Sequence, residues 1–383
     1  MKPISPTPFH AMEVLRRGLE LERLGQTVYH LEVGQPRFKI PPQVLQDFQH
    51  SLHTQDVHAY TGAWGREEFK LGIATLYQNR FGVAVSPHQI GATTGSSGAF
   101  QMLFAWLACQ GKTLALTNPG YPAYRNIAAA SGLRTQEIMC AHPNFSLDLD
   151  SLTRAYEQQP FDAFLLANPS NPTGRHLPYE DMRAILQWCI TRNVLLISDE
   201  IYGMLTYQHK PFTLAGLSDH VIVVDSFSKS FGLPGWRIGW LIASSKTLDE
   251  LEPFAQNFHI CAPVASQLMG EAAIRHDELF HGLLEHMVIN RKIVRDQLAE
   301  IDVFELTPAE GAFYQYICLS EPLKQMGSSS FCHRLLEEIG VAITPGKDFD
   351  PHQGESFVRL SYAGHTQDVQ DGLERLRIWL KNF

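Results

Sequence analysis

Lys229 lies in the stretch of sequence best suited to covalent chemistry. An apolar run at residues 221–224 predicts a buried strand, and a polar turn at 226–230 follows it and contains this lysine. Arg237 comes eight residues later. A lysine near cationic groups loses its proton more readily, and the neutral amine attacks carbonyl carbons. Taken alone, the stretch is typical either of a nucleophilic lysine or of an exposed loop after a strand.

Three further polar clusters also follow apolar runs. Tyr121 comes after residues 113–117, Asn171 after 163–167 and Asp199 after 194–198. Helical patterns separate these runs, which favours a mostly parallel sheet covered on both faces. Ligands bind beyond the carboxyl ends of such strands. The sequence therefore predicts that these clusters and Lys229 meet at one edge of the sheet.

A small polar loop at residues 95–98 opens directly into an apolar helical pattern. The unpaired N–H groups of a helix start attract phosphate, although Ser96 and Ser97 could equally cap the helix. A phosphate cradle, a carboxylate, an aromatic ring, an amide and a reactive lysine suit a phosphorylated aromatic aldehyde. The lysine would form a Schiff base, and the carboxylate would keep a ring nitrogen protonated, which makes the ring an electron sink.

Three motifs carry a resemblance to a known family: NPSNPTG at 168–174, DEIY at 199–202 and SFSKSFGLPGWRIGW at 226–240. With their order and spacing, the chain resembles the class I/II aminotransferases of fold type I over essentially its whole length. The resemblance implies a cofactor, pyridoxal 5′-phosphate (PLP). It also implies ping-pong transfer of the amino group of an L-amino acid to a 2-oxo acid, in a homodimer whose active sites are shared between subunits.

The same resemblance implies roles for single residues. Lys229 would be the Schiff-base lysine and proton shuttle, and Asp199 the partner of the pyridinium nitrogen. The ring would stack on Tyr121, and its 3′-oxygen would accept hydrogen bonds from Asn171 and Tyr202. The phosphate would be held by Ser96, Ser97, Ser226, Ser228 and Arg237, and by Tyr60 of the neighbouring subunit. The substrate α-carboxylate would be held by Arg359, Asn171 and the backbone at Gly34.

The fold expected is α/β, with a mostly parallel seven-stranded sheet sandwiched by helices in a large domain at residues 46–280. Residues 281–383 read as a smaller α+β domain, joined by residues 1–45. Within the latter, prolines predict an extended arm at 1–10, followed by a helix at 11–24 and a strand at 30–34.

Composition narrows the function further. The 383 residues carry a net charge of −9, which disfavours nucleic acid and anionic membranes as partners. Six scattered cysteines indicate reduced, mostly buried thiols in a cytoplasmic protein, and no histidine or cysteine spacing predicts a metal site. No stretch is long and apolar enough to span a membrane.

The substrate and the reaction outcome stay open at this stage. Phe9, Trp64 and Tyr121 suggest a neutral or aromatic substrate side chain, whereas Arg37 in the GQPRF loop could attract an acidic one or pair with a surface carboxylate. The same scaffold could serve a cysteine-conjugate β-lyase. A PLP-sensing transcription regulator is disfavoured by the acidic charge.

Overall fold

The computed structural model describes residues 6–381. Its helices are α1 (His10–Arg23), α2 (Pro42–Thr54), α3 (Glu67–Phe81), α4 (Gly95–Cys109), α5 (Pro122–Ala130), α6 (Leu149–Gln158), α7 (Tyr179–Thr191), α8 (Ser245–Phe258), α9 (Val264–Arg275), α10 (His281–Leu298), α11 (Leu323–Met326), α12 (Ser328–Ile339) and α13 (Thr366–Leu380). Its strands are β1 (Tyr29–His30), β2 (Ile90–Thr93), β3 (Thr113–Asn118), β4 (Arg134–Met139), β5 (Ala163–Ala167), β6 (Leu195–Asp199), β7 (Val221–Ser226), β8 (Gly239–Ile242), β9 (Phe304–Leu306), β10 (Tyr314–Leu319), β11 (Val341–Ala342), β12 (Thr344–Pro345) and β13 (Phe357–Ser361).

The central sheet has seven strands in the order β2-β8-β7-β6-β5-β3-β4. Strand β8 runs antiparallel to both of its neighbours, and the other pairs are parallel. The predicted mostly parallel sheet is therefore confirmed. Since β3, β5, β6 and β7 are mutually parallel, their carboxyl ends lie at one edge, as the sequence pattern requires.

Both faces of this sheet are buried, which explains why its strands are apolar throughout. In β7, Val221 and Val223 pack into one hydrophobic cluster, while Ile222 and Val224 pack into another. Successive side chains of a strand point to opposite faces, so each face needs its own apolar residues. The strand that carries Lys229 is thereby fixed from both sides.

The C-terminal part forms a four-stranded antiparallel sheet in the order β12-β13-β10-β9. Its core includes Leu298 of α10, Leu335 of α12 and Leu373 of α13. Strand β1 pairs in parallel with β11, so the N-terminal segment joins this part of the fold. The α+β character predicted for it is confirmed, whereas the domain boundaries at 45/46 and 280/281 stay a prediction.

The strand predicted at residues 30–34 is wrong in extent, since β1 ends at His30. Leu31 still makes backbone hydrogen bonds to Ala342 and Ser361, but the carbonyls of the two residues that matter beyond it bind side chains. The carbonyl of Glu32 accepts from Arg359, and the carbonyl of Gly34 accepts from Lys229. Because side chains occupy the carbonyls of Glu32 and Gly34, the strand pairing does not continue to Gly34.

The N-terminal arm, the cysteines and the hydropathy of the helices can be compared with the sequence predictions. Residues 6–9 form neither helix nor strand, in agreement with the predicted arm, and residues 1–5 lie outside the described residues. All six cysteines are free; three are buried, and one, Cys109, is exposed. Within residues 6–381, no helix has the length and apolarity needed to cross a membrane.

Candidate active site

A cavity of about 230 Å³ lies at the carboxyl edge of the central sheet. It is also bordered by the start of α4, by residues 32–34 and by β10 and β13 of the second sheet. Most of the predicted site residues line it: Gly34, Ser96, Ser97, Tyr121, Asn171, Asp199, Tyr202, Ser228, Lys229, Arg237 and Arg359. Residues far apart in sequence thus converge on one enclosed space.

Lys229 reaches this cavity from the turn after β7. Its Nζ donates to the carbonyl oxygen of Gly34 at 2.6 Å. Desolvation of the ammonium, together with the positive charges of Arg359 and Arg237, lowers the pKa of Lys229 to about 8, and the charge of Asp199 opposes this shift. A substantial fraction of neutral amine is therefore present near neutral pH, which is the form that attacks an aldehyde.

Asp199 ends β6 and is held from two sides. The hydroxyl of Tyr124 donates to its Oδ2, and the backbone N–H of Ile201 donates to its Oδ1 at 3.1 Å. Burial raises the pKa of Asp199 to about 6, and these hydrogen bonds and Lys229 oppose that rise. The carboxylate is consequently charged at neutral pH and suited to pair with a cationic ring nitrogen.

The start of α4 has the features of an anion site. Its N-cap residue, Thr94, makes no side-chain capping bond, so the first-turn N–H groups face the cavity without that partner. The guanidinium of Arg237 lies against this turn. Its proximity is shown by Gly95, where an added Cβ would come within 2.6 Å of the Arg237 Nη2. Helix start and arginine together form a cradle for a phosphate group.

Gly95 offers a test of this cradle. Gly95→Ala is expected to weaken PLP binding about tenfold or more, because the new methyl group would push Arg237 away from the helix start. The measurement is PLP titration of the apoprotein by fluorescence. Gly82→Ala is the matched control, since Gly82 has φ +70° against +73° for Gly95, and a Cβ there would meet nothing within 4 Å. Equal affinities in both variants would contradict the predicted cradle.

Arg359 lies on β13 of the second sheet, and its buried side chain lines the cavity. Its Nη1 donates to Asn171 Oδ1 at 2.9 Å, and its Nη2 donates to the carbonyl of Glu32 at 2.6 Å. Its Nε is buried and has no hydrogen-bond partner among residues 6–381. A guanidinium with an unused donor at a cavity wall is fitted to a carboxylate.

Some predicted residues do not line the cavity. Ser226 is fully buried, and its Oγ accepts from the N–H of Ser228 at 3.2 Å. Tyr60 is 77% exposed, so its predicted role toward a neighbouring subunit stays a prediction. The indole of Trp64 packs against Gly91 of β2, and Arg37 is exposed. Neither of these last two residues contributes to the wall.

The cavity wall also contains residues that the sequence analysis did not predict. Tyr124 lies on the first turn of α5, three residues after its N-cap residue Tyr121, and the two rings contact each other. Tyr314 and Glu32 also line the cavity, and both are buried. Tyr314 belongs to β10, a strand of the other sheet, and only the packing of the two sheets brings it here.

One group of possible metal ligands occurs among residues 6–381, away from this wall. His142, Glu305 and Cys318 each bring one ligand atom within 4.8 Å of the others. His142 Nε2 lies 3.3 Å from Glu305 Oε1, and the Glu305 side chain is 57% exposed. An exposed ion pair accounts for that approach.

Comparison of this chain with known proteins shows its family. The family model described as "Aminotransferase class I and II" matches residues 26–376. The chain belongs to the class I and II aminotransferases. It is 38% identical over 379 residues to a valine–pyruvate aminotransferase of Mycobacterium tuberculosis, covering 97% of this chain and 96% of that protein. It is 28% identical to a (5-formylfuran-3-yl)methyl phosphate transaminase of Methanocaldococcus jannaschii, covering 97% and 96%.

Solved structures agree with this assignment. An aminotransferase from Mycobacterium tuberculosis superposes with a TM-score of 0.91 at 37% identity, covering 98% of this chain and 97% of that one. The protein is thus an aminotransferase of fold type I, and its family depends on PLP. The relatives differ in the substrates their names state, so membership alone leaves the substrate open.

The residues of the cavity fit that cofactor. The uncapped helix start and Arg237 would hold its phosphate, and Asp199 would face its ring nitrogen. Tyr121 has a ring available for stacking, while Lys229 supplies the amine. Arg359, which also lines the cavity, is left for the substrate.

Proposed function

We propose that this aminotransferase uses PLP bound through Lys229 to move the amino group of an L-amino acid to a 2-oxo acid by a ping-pong mechanism. The observation that best supports this proposal is the position of the Lys229 amine inside the cavity, 2.6 Å from the Gly34 carbonyl oxygen. The pKa of this amine is also lowered to about 8. A lysine of this kind can both bond to an aldehyde and move a proton.

The other roles follow from the charges and donors at hand. PLP supplies a protonated ring that accepts electrons from the substrate carbon. Asp199, charged at neutral pH, keeps the proton on the ring nitrogen, and Tyr124 holds that carboxylate in place. Lys229 takes up and returns the substrate proton. Arg359 orients the substrate through its carboxylate, aided by the Asn171 amide that it contacts.

The wall supports substrates with apolar side chains. Phe9, Met12, Phe100 and Ile201 face the cavity, and its three cations are Lys229, Arg237 and Arg359 among the described residues. Those cations are committed to the aldehyde, the phosphate and the α-carboxylate, so a second substrate carboxylate has no cation left. We therefore propose a neutral amino donor and a monocarboxylic acceptor. The name of the Mycobacterium relative, valine–pyruvate aminotransferase, is consistent with this choice.

A donor–acceptor panel tests this function. The holoenzyme is incubated with valine, alanine, phenylalanine, aspartate or glutamate and with pyruvate or 2-oxoglutarate, and the new amino acid is quantified. Efficient valine–pyruvate transfer is the expected result, with weaker use of aspartate and glutamate. Pyruvate and ammonia release from a cysteine conjugate, without transfer to any 2-oxo acid, would instead support the β-lyase.

The pKa of Lys229 gives a pH prediction. Since the neutral amine reacts, the rate at which the apoprotein binds PLP covalently should rise with pH and level off above pH 8. Between pH 7 and pH 9 a pKa of about 8 gives a roughly tenfold increase. An ordinary lysine would give about a hundredfold increase without levelling. Stopped-flow absorption above pH 7, where the cofactor phosphate stays ionised, distinguishes the two.

We further propose a homodimer in which Tyr60 contacts the phosphate bound by the neighbouring subunit. Its support is the high exposure of Tyr60 and an open apolar groove beside the site, lined by Ala105, Ile127 and Phe258. Light scattering measures the oligomeric state. Six free cysteines are typical of a reducing compartment, which supports a cytoplasmic location.

A further inference from the structure

Tyr314 lines the cavity but is not one of the residues that would hold the cofactor or the substrate. It lies at the start of β10, is 2% exposed, and its hydroxyl oxygen is 2.8 Å from the hydroxyl oxygen of Tyr202. Among residues 6–381, Tyr202 is the only hydrogen-bond partner of this hydroxyl. The guanidinium carbon of Arg359 lies 4.2 Å from the centre of the Tyr314 ring. The side chain therefore touches two residues of the proposed site.

The position of this hydroxyl is fixed by packing. A Cβ built on Gly34 would overlap the Tyr314 hydroxyl, so the glycine makes room for it. The backbone of Tyr314 pairs with Ser361 of β13, and its ring packs edge-on against the ring of Tyr202. Ring and hydroxyl thus have little freedom to turn away from Tyr202.

The direction of the bond between the two tyrosines follows from proton counting. A phenol has one proton to donate and can also accept. If Tyr202 gives its proton to the 3′-oxygen of PLP, the bond to Tyr314 can form only with Tyr202 as acceptor and Tyr314 as donor. Without Tyr314, the Tyr202 hydroxyl would be free to rotate in a buried site.

We propose that Tyr314 is a positioning residue that donates to Tyr202 and thereby orients and strengthens the hydrogen bond from Tyr202 to the cofactor ring oxygen. Consecutive hydrogen bonds polarise one another, so a phenol that accepts becomes a better donor. This inference rests on the proposed function. Stabilising the anionic ring oxygen lowers the pKa of the bound chromophore, and the Tyr314 hydroxyl contributes part of that lowering.

The test is a spectral pH titration of PLP-reconstituted protein, which does not depend on turnover. In Tyr314→Phe the apparent pKa of the visible band is expected to rise by roughly half a unit, because the donated bond is weakened. Tyr202→Phe should raise it more. The double variant should match Tyr202→Phe alone, because Tyr314 acts only through Tyr202.

Tyr316→Phe is the matched control. Tyr316 lies two residues along the same strand and is equally buried, and its hydroxyl has no hydrogen-bond partner in the described part of the chain, so its removal should leave the spectrum unchanged. An unshifted pKa in Tyr314→Phe, or shifts that add in the double variant, would overturn the proposed relay. Failure of the unmodified protein to form a visible band with PLP would instead reject the proposed function.

Discussion

Lys229→Ala is expected to abolish amino transfer, with a loss of at least about 10⁴-fold in kcat. The substitution removes both the amine that bonds to the aldehyde and the group that moves the substrate proton. The buried cavity holds no second lysine among the described residues that could replace it. Turnover of valine with pyruvate measures the effect.

A second readout separates chemistry from folding. Borohydride reduction should attach PLP permanently to the unmodified protein but not to Lys229→Ala, while both should melt at similar temperatures. Lys246→Ala is the control, since Lys246 is exposed on α8 and does not line the cavity. Ordinary turnover by Lys229→Ala would refute the proposed mechanism.

Arg359→Ala is expected to lower kcat/KM for amino acids at least about a hundredfold, mainly through KM. Each hydrogen bond between a guanidinium and a carboxylate stabilises by roughly 1.5–3 kcal/mol, and two such bonds would be lost. Arg359→Lys keeps the charge but loses the two parallel N–H donors of the guanidinium, so its kcat/KM should lie between those of Arg359→Ala and the unmodified protein. Initial rates over a range of valine concentrations give both constants.

Arg359 is itself buried and bonded to Asn171 and Glu32, so a control for general damage is needed. A primary amine without a carboxylate should react with bound PLP equally slowly in the variant and the unmodified protein. The cofactor absorption should also persist. Arg183→Ala, an exposed arginine on α7, should behave as the unmodified protein. An equal loss with the simple amine would show that Arg359 does not act through the substrate carboxylate.

Sequence patterns predict helices least well where burial is most complete. Nine of the twelve residues of α9 are buried, including Gln267 and Glu271, so no polar face marks it as a helix. Polar residues are kept there by specific partners, such as Arg66, whose side chain pairs with Glu271. Only the tertiary structure supplies such partners.

The sequence by itself determined the parallel sheet and the identity of its functional edge. Buried parallel strands must be apolar throughout, and their polar ends must face a ligand, so Lys229, Asp199 and Asn171 could be located from local pattern alone. The tertiary structure decided which distant groups join them. Gly34, Tyr314 and Arg359 enter the site only because the second sheet packs over that edge, and the lowered pKa of Lys229 is a product of the burial and charge which this packing creates.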